Sequence, residues 1–171
     1  MLAEISQAVR SLKTTARALV ALADVSSEVA SWKPAPDRWS ILEVINHLAD
    51  EEAEDFRARL NILLHDPEAP FPPIDPRGWV TARAYATRDL RQSVARFEAE
   101  RERSLTWLAG LAHPQLDRTR VHPMAGTLSG RSLLAAWMAH DLLHVRQINR
   151  LRYQYLASQV GSDAVAYAGP W

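Results

Sequence analysis

The stretch Pro36-Asp37-Arg38-Trp39-Ser40-Ile41-Leu42-Glu43-Val44-Ile45-Asn46-His47-Leu48-Ala49-Asp50 starts a helix at a defined residue and places a histidine in its second turn. Prolines 34 and 36 lack amide donors and push their preceding residues out of helical geometry, so residues 32–38 form a loop. Ser40 and Glu43 then have the S-x-x-E spacing of a capping box, and Trp39 with Val44 has the spacing of a hydrophobic staple. Past this cap an inward stripe follows: Val44, His47 or Leu48, Glu51, Phe56, Leu60 and Leu63.

Working outward, Leu2, Ile5, Val9, Leu12, Ala16, Leu19 and Ala23 alternate spacings of three and four, which predicts a first helix. After the helix that begins at Ser40, the segment His65 to Gly78 holds five of the ten prolines and reads as one long surface connection. Leu90, Val94, Phe97, Leu105 and Leu108 mark a third helix over about Thr87 to Ala109, with the Arg-Glu run from Glu98 to Arg103 on its solvent side. Pro114, Pro123, Gly126 and Gly130 break a second loop. A fourth helix runs from about Arg131 to Leu156, with Leu133, Trp137, His140, His144, Ile148, Leu151 and Tyr155 on one face.

No segment has the alternation of a half-buried strand. The expectation is an all-α four-helix bundle of the up-down-up-down type with one long crossover loop over residues 1–156. A C-terminal tail, 157–171, is expected to pack on or near the bundle through Tyr167 and Trp171.

Composition removes several classes of function. Twenty basic side chains balance twenty acidic ones, and the pI is near 7.0, so no field recruits nucleic acid or an anionic membrane. No window approaches the roughly 18 apolar residues of a membrane span, and the first residues lack a basic n-region followed by an apolar run. A cytoplasmic protein acting on a small molecule is expected. With no cysteine, a disulfide framework, a thiolate metal site and a cysteine nucleophile are all excluded, and any thiol chemistry needs a thiol from outside the chain.

His140 and His144 lie four residues apart, on one helical face about one turn from each other, which lets two imidazoles meet one ion. Alone, such a pair is a weak signal and reads more often as two partly buried, hydrogen-bonded histidines. His47 changes the weighing. With helices two and four parallel, as the up-down-up-down order requires, a rise of ~1.5 Å per residue brings the three imidazoles within roughly 10 Å of one height. Three neutral imidazoles suit zinc, nickel, copper or iron and leave a coordination position open.

Around them, Asp50 and Glu51 are candidates for the catalytic base of an ion-activated water, or acceptors for an imidazole N–H; solvated charges are the plain alternative. Glu43 is explained by its cap. Asp141 points about 100° away from His140, which favours a structural contact. Gln147, three residues past His144, can hydrogen-bond near the site or pack. Arg146 and Arg150 read as surface charges, and His65, His113 and His122 as loop histidines, with His122 best placed at the mouth. Trp32, Trp39 and Trp137 read as packing residues, the first two also as pocket walls.

The segment quoted above, with its tryptophan, cap and histidine followed by Leu48-Ala49-Asp50, resembles the signature of the DinB-like (DinB/YfiT-like) family. His140-Asp141-Leu142-Leu143-His144-Val145-Arg146-Gln147-Ile148 resembles its partner motif, HDxxHxxQI, and His122 to Ser129 resembles the loop before it. The resemblance implies a four-helix bundle in which His47, His140 and His144 bind one divalent metal ion, zinc or nickel first. Members of the family include S-transferases that act with low-molecular-weight thiols such as bacillithiol or mycothiol, and a thiol-dependent isomerase. Thiol transfer to an electrophile is therefore the first expectation. Metal-dependent hydrolysis is the second, and a non-catalytic metal-binding stress-response dimer the third. Homodimerisation is a further expectation carried by the family.

Overall fold

The computed structural model of the chain describes residues 3–122 and 126–169. Four long helical rods build the bundle: α1 (Ala3–Ala23); α3 (Ile41–Glu51) continuing through a π turn (Glu52–Phe56) into α4 (Arg57–His65); α6 (Leu90–Gly110); and α7 (Gly130–Val160). Short helices α2 (Ser27–Ser31) and α5 (Pro76–Ala82) lie in the first and second connections, and α8 (Ser162–Val165) follows α7. The expected helix start is formed: the Ser40 hydroxyl accepts from the Glu43 amide at 3.3 Å and the Glu43 carboxylate accepts from the Ser40 amide at 2.8 Å. Asp89 caps α6 by accepting from the Gln92 amide, and Ser129 caps α7 by accepting from the Ser132 amide.

The all-α bundle with its long crossover stands, but the expected order of directions is corrected. The second and third rods run parallel, since Asn46 bonds Ser93 at 2.9 Å and Arg57 bonds Ser104 at 2.9 Å. The first and fourth are also parallel, tied by Glu4 to Arg131, Thr15 to Asp141, and Leu22 to Arg152. The second and fourth are antiparallel, because His47 meets His144 while Glu52 meets Trp137. The order is therefore up-down-down-up. The physical cause is the connection from Asp66 to Asp89, which carries the chain back along the whole second rod before the third begins. It is pinned there by fully buried Tyr85, whose hydroxyl donates to Asp50, and by Arg83, which bonds both Asp50 and Glu54 at 2.6 Å.

Three further expectations are corrected. Residues Thr119–His122 and Gly126–Ser129 form a two-stranded antiparallel hairpin where only loop was expected. Arg101, assigned to the solvent side of the third helix, is 2 % exposed. The fourth rod also extends to Val160, four residues past its expected end. In the tail, Tyr167 is fully exposed, and Trp171 lies outside the described residues.

The core is layered along the bundle. One apolar cluster gathers Ile5, Leu12, Phe56, Leu60, Leu108 and Trp137; a second gathers Leu19, Ile41, Ile45, Leu48, Phe97 and Ile148. Between them lies a buried polar layer of Thr15, Glu52, Arg101 and Asp141. Arg101 bonds Glu52 through Nε and Nη2 at 2.8 Å each, Asp141 at 2.7 and 2.9 Å, and the Leu12 carbonyl at 2.7 Å. Every rod contributes to this layer, and each buried charge in it has an opposite partner, as burial demands. Among the described residues no helix is long and apolar enough to cross a membrane.

Candidate metal centre

Beside this polar layer, facing α7 from α3, three imidazoles converge. His47 Nε2 lies 3.3 Å from His140 Nε2 and 3.2 Å from His144 Nε2, and the last two are 3.1 Å apart. The convergence expected from sequence is present, though between antiparallel rods. Antiparallel packing achieves it because His47 lies in the first third of the second rod and His140 and His144 lie toward the middle of the long α7.

Burial dictates the charge state. It pushes the His47 pKa down to about 3, helped by the repulsion a second charge would meet beside His144 and opposed by the negative charge of Asp50. Burial, then His144, His47 and Arg101, lower His140 to about 2. His144 is lowered as well, burial outweighing its hydrogen bond to Gln147. All three rings are therefore neutral at pH 7. Gln147 Oε1 lies 2.8 Å from His144 Nδ1, so that nitrogen donates and the lone pair of Nε2 faces its two neighbours.

Three nitrogens at these separations, the ring of His144 presenting a lone pair, repel one another unless something sits between them. An ion bound tetrahedrally at about 2.0–2.1 Å from each nitrogen requires N···N separations of about 3.3 Å. The triangle of 3.1 to 3.3 Å has that size, so the residues present fit a divalent ion. An all-nitrogen, neutral donor set is one that zinc and later first-row metals accept.

The surroundings are apolar on two sides: the Trp39 ring lies 4.8 Å from that of His47, and the Phe56 ring 5.0 Å from that of His140. On a third, Glu51 Oε2 is 3.9 Å from His140 Nε2, and Glu51 Oε1 is buried without a hydrogen-bond partner. Burial first, and the negative charge of Asp55 second, raise the Glu51 pKa to about 8. Asp55 is raised by burial as well, against the pull of Arg59, whose Nε lies 2.7 Å away.

Of the two carboxylates singled out in the sequence, the structure brings Glu51 to the histidines. Asp50, wholly buried, turns to Tyr85, Arg83 and Arg96. Asp141 makes the structural contact expected of it, to Arg101 and Thr15. Glu43 serves the cap and meets Lys33 Nζ at 2.6 Å. His122 lies on the hairpin, 3.3 Å from Arg59 Nη1, while His65 and His113 are exposed. Trp32 packs edge-on against Tyr155 at 5.7 Å. Sequence reasoning missed Arg101, Glu52, Asp55 and Arg59. A signal existed for Arg101, which lies four residues from both Phe97 and Leu105 and so shares their face.

Residues 11–148 match the sequence profile of the DinB superfamily. Two proteins of Oceanobacillus iheyensis, both provisionally named metal-dependent hydrolases, are similar to the chain. One is 26 % identical over 148 residues, covering 85 % of this chain and 81 % of the relative; the other is 28 % identical over 111 residues, covering 63 % of each. The solved structure of YfiT from Bacillus subtilis, described as a probable metal-dependent hydrolase with an unusual four-helix bundle topology, superposes with a TM-score of 0.77. It covers 94 % of this chain and 90 % of its own at 19 % identity, a likeness of fold. With a profile match across most of its length and the same bundle, the chain belongs to the DinB superfamily.

Proposed function

We propose that the protein is a metal-dependent hydrolase of a small molecule, in which His47, His140 and His144 hold one divalent ion, zinc or nickel, and Glu51 is the general base. The observation that carries this reading is the placement of Glu51: a buried carboxyl with one unpartnered oxygen, beside the only cluster of potential metal ligands among the described residues. A divalent ion held there supplies Lewis acidity, which lowers the pKa of a water or thiol and polarises a carbonyl or phosphoryl oxygen. Glu51 accepts the proton of the attacking water and returns it to the leaving group; burial raises its pKa in the metal-free site, and the positive charge of a bound ion favours the carboxylate form that the base step requires. Gln147 fixes the His144 tautomer, and Phe56 with Trp39 keeps bulk water from the imidazoles. The names of the two Oceanobacillus relatives support the reaction class.

Transfer of a low-molecular-weight thiol to an electrophile is the second reading. The lack of any cysteine favours it, because no internal thiol competes for the ion. Here Glu51 has no required role.

One experiment separates the two. The protein, loaded to about one ion per chain by elemental analysis, is given a panel of esters and amides, and separately a haloalkyl bimane with a panel of low-molecular-weight thiols. Hydrolysis is expected, falling about 10²–10⁴-fold in Glu51→Gln with metal content unchanged. Metal is expected to be lost in His47→Ala, His140→Ala and His144→Ala. Thiol conjugation that is indifferent to Glu51→Gln replaces the first reading with the second. The absence of both reactions leaves a metal-binding protein without turnover.

A further inference from the structure

A cleft of about 380 Å³ lies between the 34–38 loop and the face of α7 one turn beyond His144. Pro34, Ala35 and Leu151 form its apolar walls; Arg38, Arg150 and Gln147 are among its polar groups, and no carboxylate lines it. That distinguishes it from the other two cavities described. The larger, about 800 Å³ between α1 and α6, has basic and acidic side chains together on its walls. The third, about 280 Å³ near His113, has no arginine, lysine or carboxylate. In a chain of zero net charge, this cleft presents charge of one sign only.

Neither guanidinium is held by a buried carboxylate among the described residues. The ion pair of Arg38 is with its neighbour Asp37 at 3.8 Å, both side chains largely exposed, and Arg150, exposed on α7, has no ion pair among the described residues. The planar guanidinium fork matches carboxylate and phosphate oxygens, and a cleft of this volume holds a small organic molecule.

Both walls lead to the histidines. On the loop side, Arg38 is followed by Trp39, whose ring covers His47. On the helix side, Gln147 lines the cleft and receives the His144 Nδ1 hydrogen bond through its carboxamide oxygen, which leaves its N–H groups to be shared with a ligand. One imidazole and one carboxamide separate the cleft from the candidate metal position.

We propose that this cleft binds the anionic end, a carboxylate or phosphate, of the small molecule whose other end reacts at the three histidines. The assignment rests on the metal-centre reading for its second half and names the substrate class: a small organic anion. Arg38 and Arg150 are the binding residues, and Gln147 transmits occupancy to His144.

The test titrates the ¹⁵N-labelled, zinc-loaded full chain with succinate, with inorganic phosphate and with neutral acetamide, reading chemical shifts. Saturable shifts are expected at the Gln147 side-chain amide and the Arg38 and Leu151 backbone amides with at least one of the two anions, and none with acetamide. The Arg38→Gln/Arg150→Gln double variant is expected to weaken the half-saturation at least tenfold while zinc content stays at one per chain. Shifts that never saturate, or a double variant that titrates like the wild type, overturn the proposal. A protein that binds zinc but no anion refutes the cleft and leaves the metal centre intact. One that binds the anion but no zinc keeps the cleft as an anion site and refutes the metal centre.

Discussion

Replacing Arg101 by methionine keeps much of the side-chain volume and removes the one cation that serves Glu52 and Asp141 together. Five hydrogen bonds of 2.7 to 2.9 Å disappear with it. What remains are two carboxylates at 2 % and 0 % exposure, Glu52 keeping only the Trp137 indole N–H at 3.0 Å and Asp141 only the Thr15 hydroxyl. Breaking a buried ion pair on one side costs about 3–5 kcal/mol, because it strands uncompensated charge. For a domain of this size that lowers Tm by roughly 6–20 °C, and at an m-value of about 2 kcal/mol/M it moves the urea midpoint by about 1.5–2.5 M. The measurement is urea unfolding in chelator, so that metal affinity does not enter. The triple variant Arg101→Met/Glu52→Gln/Asp141→Asn removes the charge with its partner and is expected to recover at least about 2 kcal/mol of the loss. A single-variant loss below about 1 kcal/mol, or a triple variant no better than the single, refutes the account of this layer as a mutually compensated charge cluster.

The metal-free protein is expected to lose stability as pH falls below 6.5. Its three imidazoles have folded pKa values below the unfolded 6.5, so the unfolded state takes up protons first, at about 1.4 kcal/mol per pH unit for each fully titrating ring. Glu51 acts oppositely, its folded pKa of about 8 against 4.5 unfolded making stability fall as pH rises between those values. Three rings outweigh two carboxyls, Glu51 and Asp55, whose raised pKa acts in the same sense as that of Glu51, so urea midpoints in chelator that keep rising from pH 6.5 to 5 contradict this assignment. Metal at a hundredfold excess over Kd is expected to add about 2.7 kcal/mol, seen as a Tm about 5–10 °C higher than in chelator, with the far-ultraviolet helix signal unchanged. Gly130→Ala is expected to cost about 1–3 kcal/mol by thermal unfolding, because its Cβ would lie 2.9 Å from Leu116 Cα and 3.0 Å from its carbonyl oxygen. A loss within a few tenths of a kcal/mol would show that the hairpin-to-helix junction yields.

Local signals in the sequence were read correctly where one residue's neighbours decide the outcome. The Ser40–Glu43 box and the shared face of His140 and His144 depend only on spacing along one helix. The direction of the third rod does not. It depends on where Asp50 finds partners, and those are Tyr85 and Arg83 on the returning connection and Arg96 on α6, none of them visible in a helical wheel. The antiparallel approach of His47 to His140 and His144 followed from the same unseen return, so the site was legible while the topology that builds it was not. Arg101 was misread because composition overruled period: in an Arg-Glu run, a charged residue on the Phe97–Leu105 face looks like part of the solvent side. The hairpin escaped because strands of four residues, Thr119–His122 and Gly126–Ser129, offer too little alternation to detect. Glu51 and Asp50 were indistinguishable in sequence, since one residue of rotation separates a side chain facing α7 from one facing the connection.

The π turn at Glu52–Phe56 has a consequence for how this helix can change over evolutionary time. Each residue of an α-helix advances about 100°, so the one extra residue of a π turn sets everything after it back by that angle. With the setback, Phe56, Leu60 and Leu63 fall in phase with Ile41, Val44 and Leu48, and both halves of the rod turn their apolar sides to the bundle interior, each into its own apolar cluster. A deletion that restored regular winding would leave every residue type in place and still put the halves out of phase, so that either His47 and Glu51 or Leu60 and Leu63 faced away from α7. Between His47 and Leu60 the length of the chain is therefore held more strictly than its composition, and single-residue insertions or deletions there are less tolerable than most substitutions.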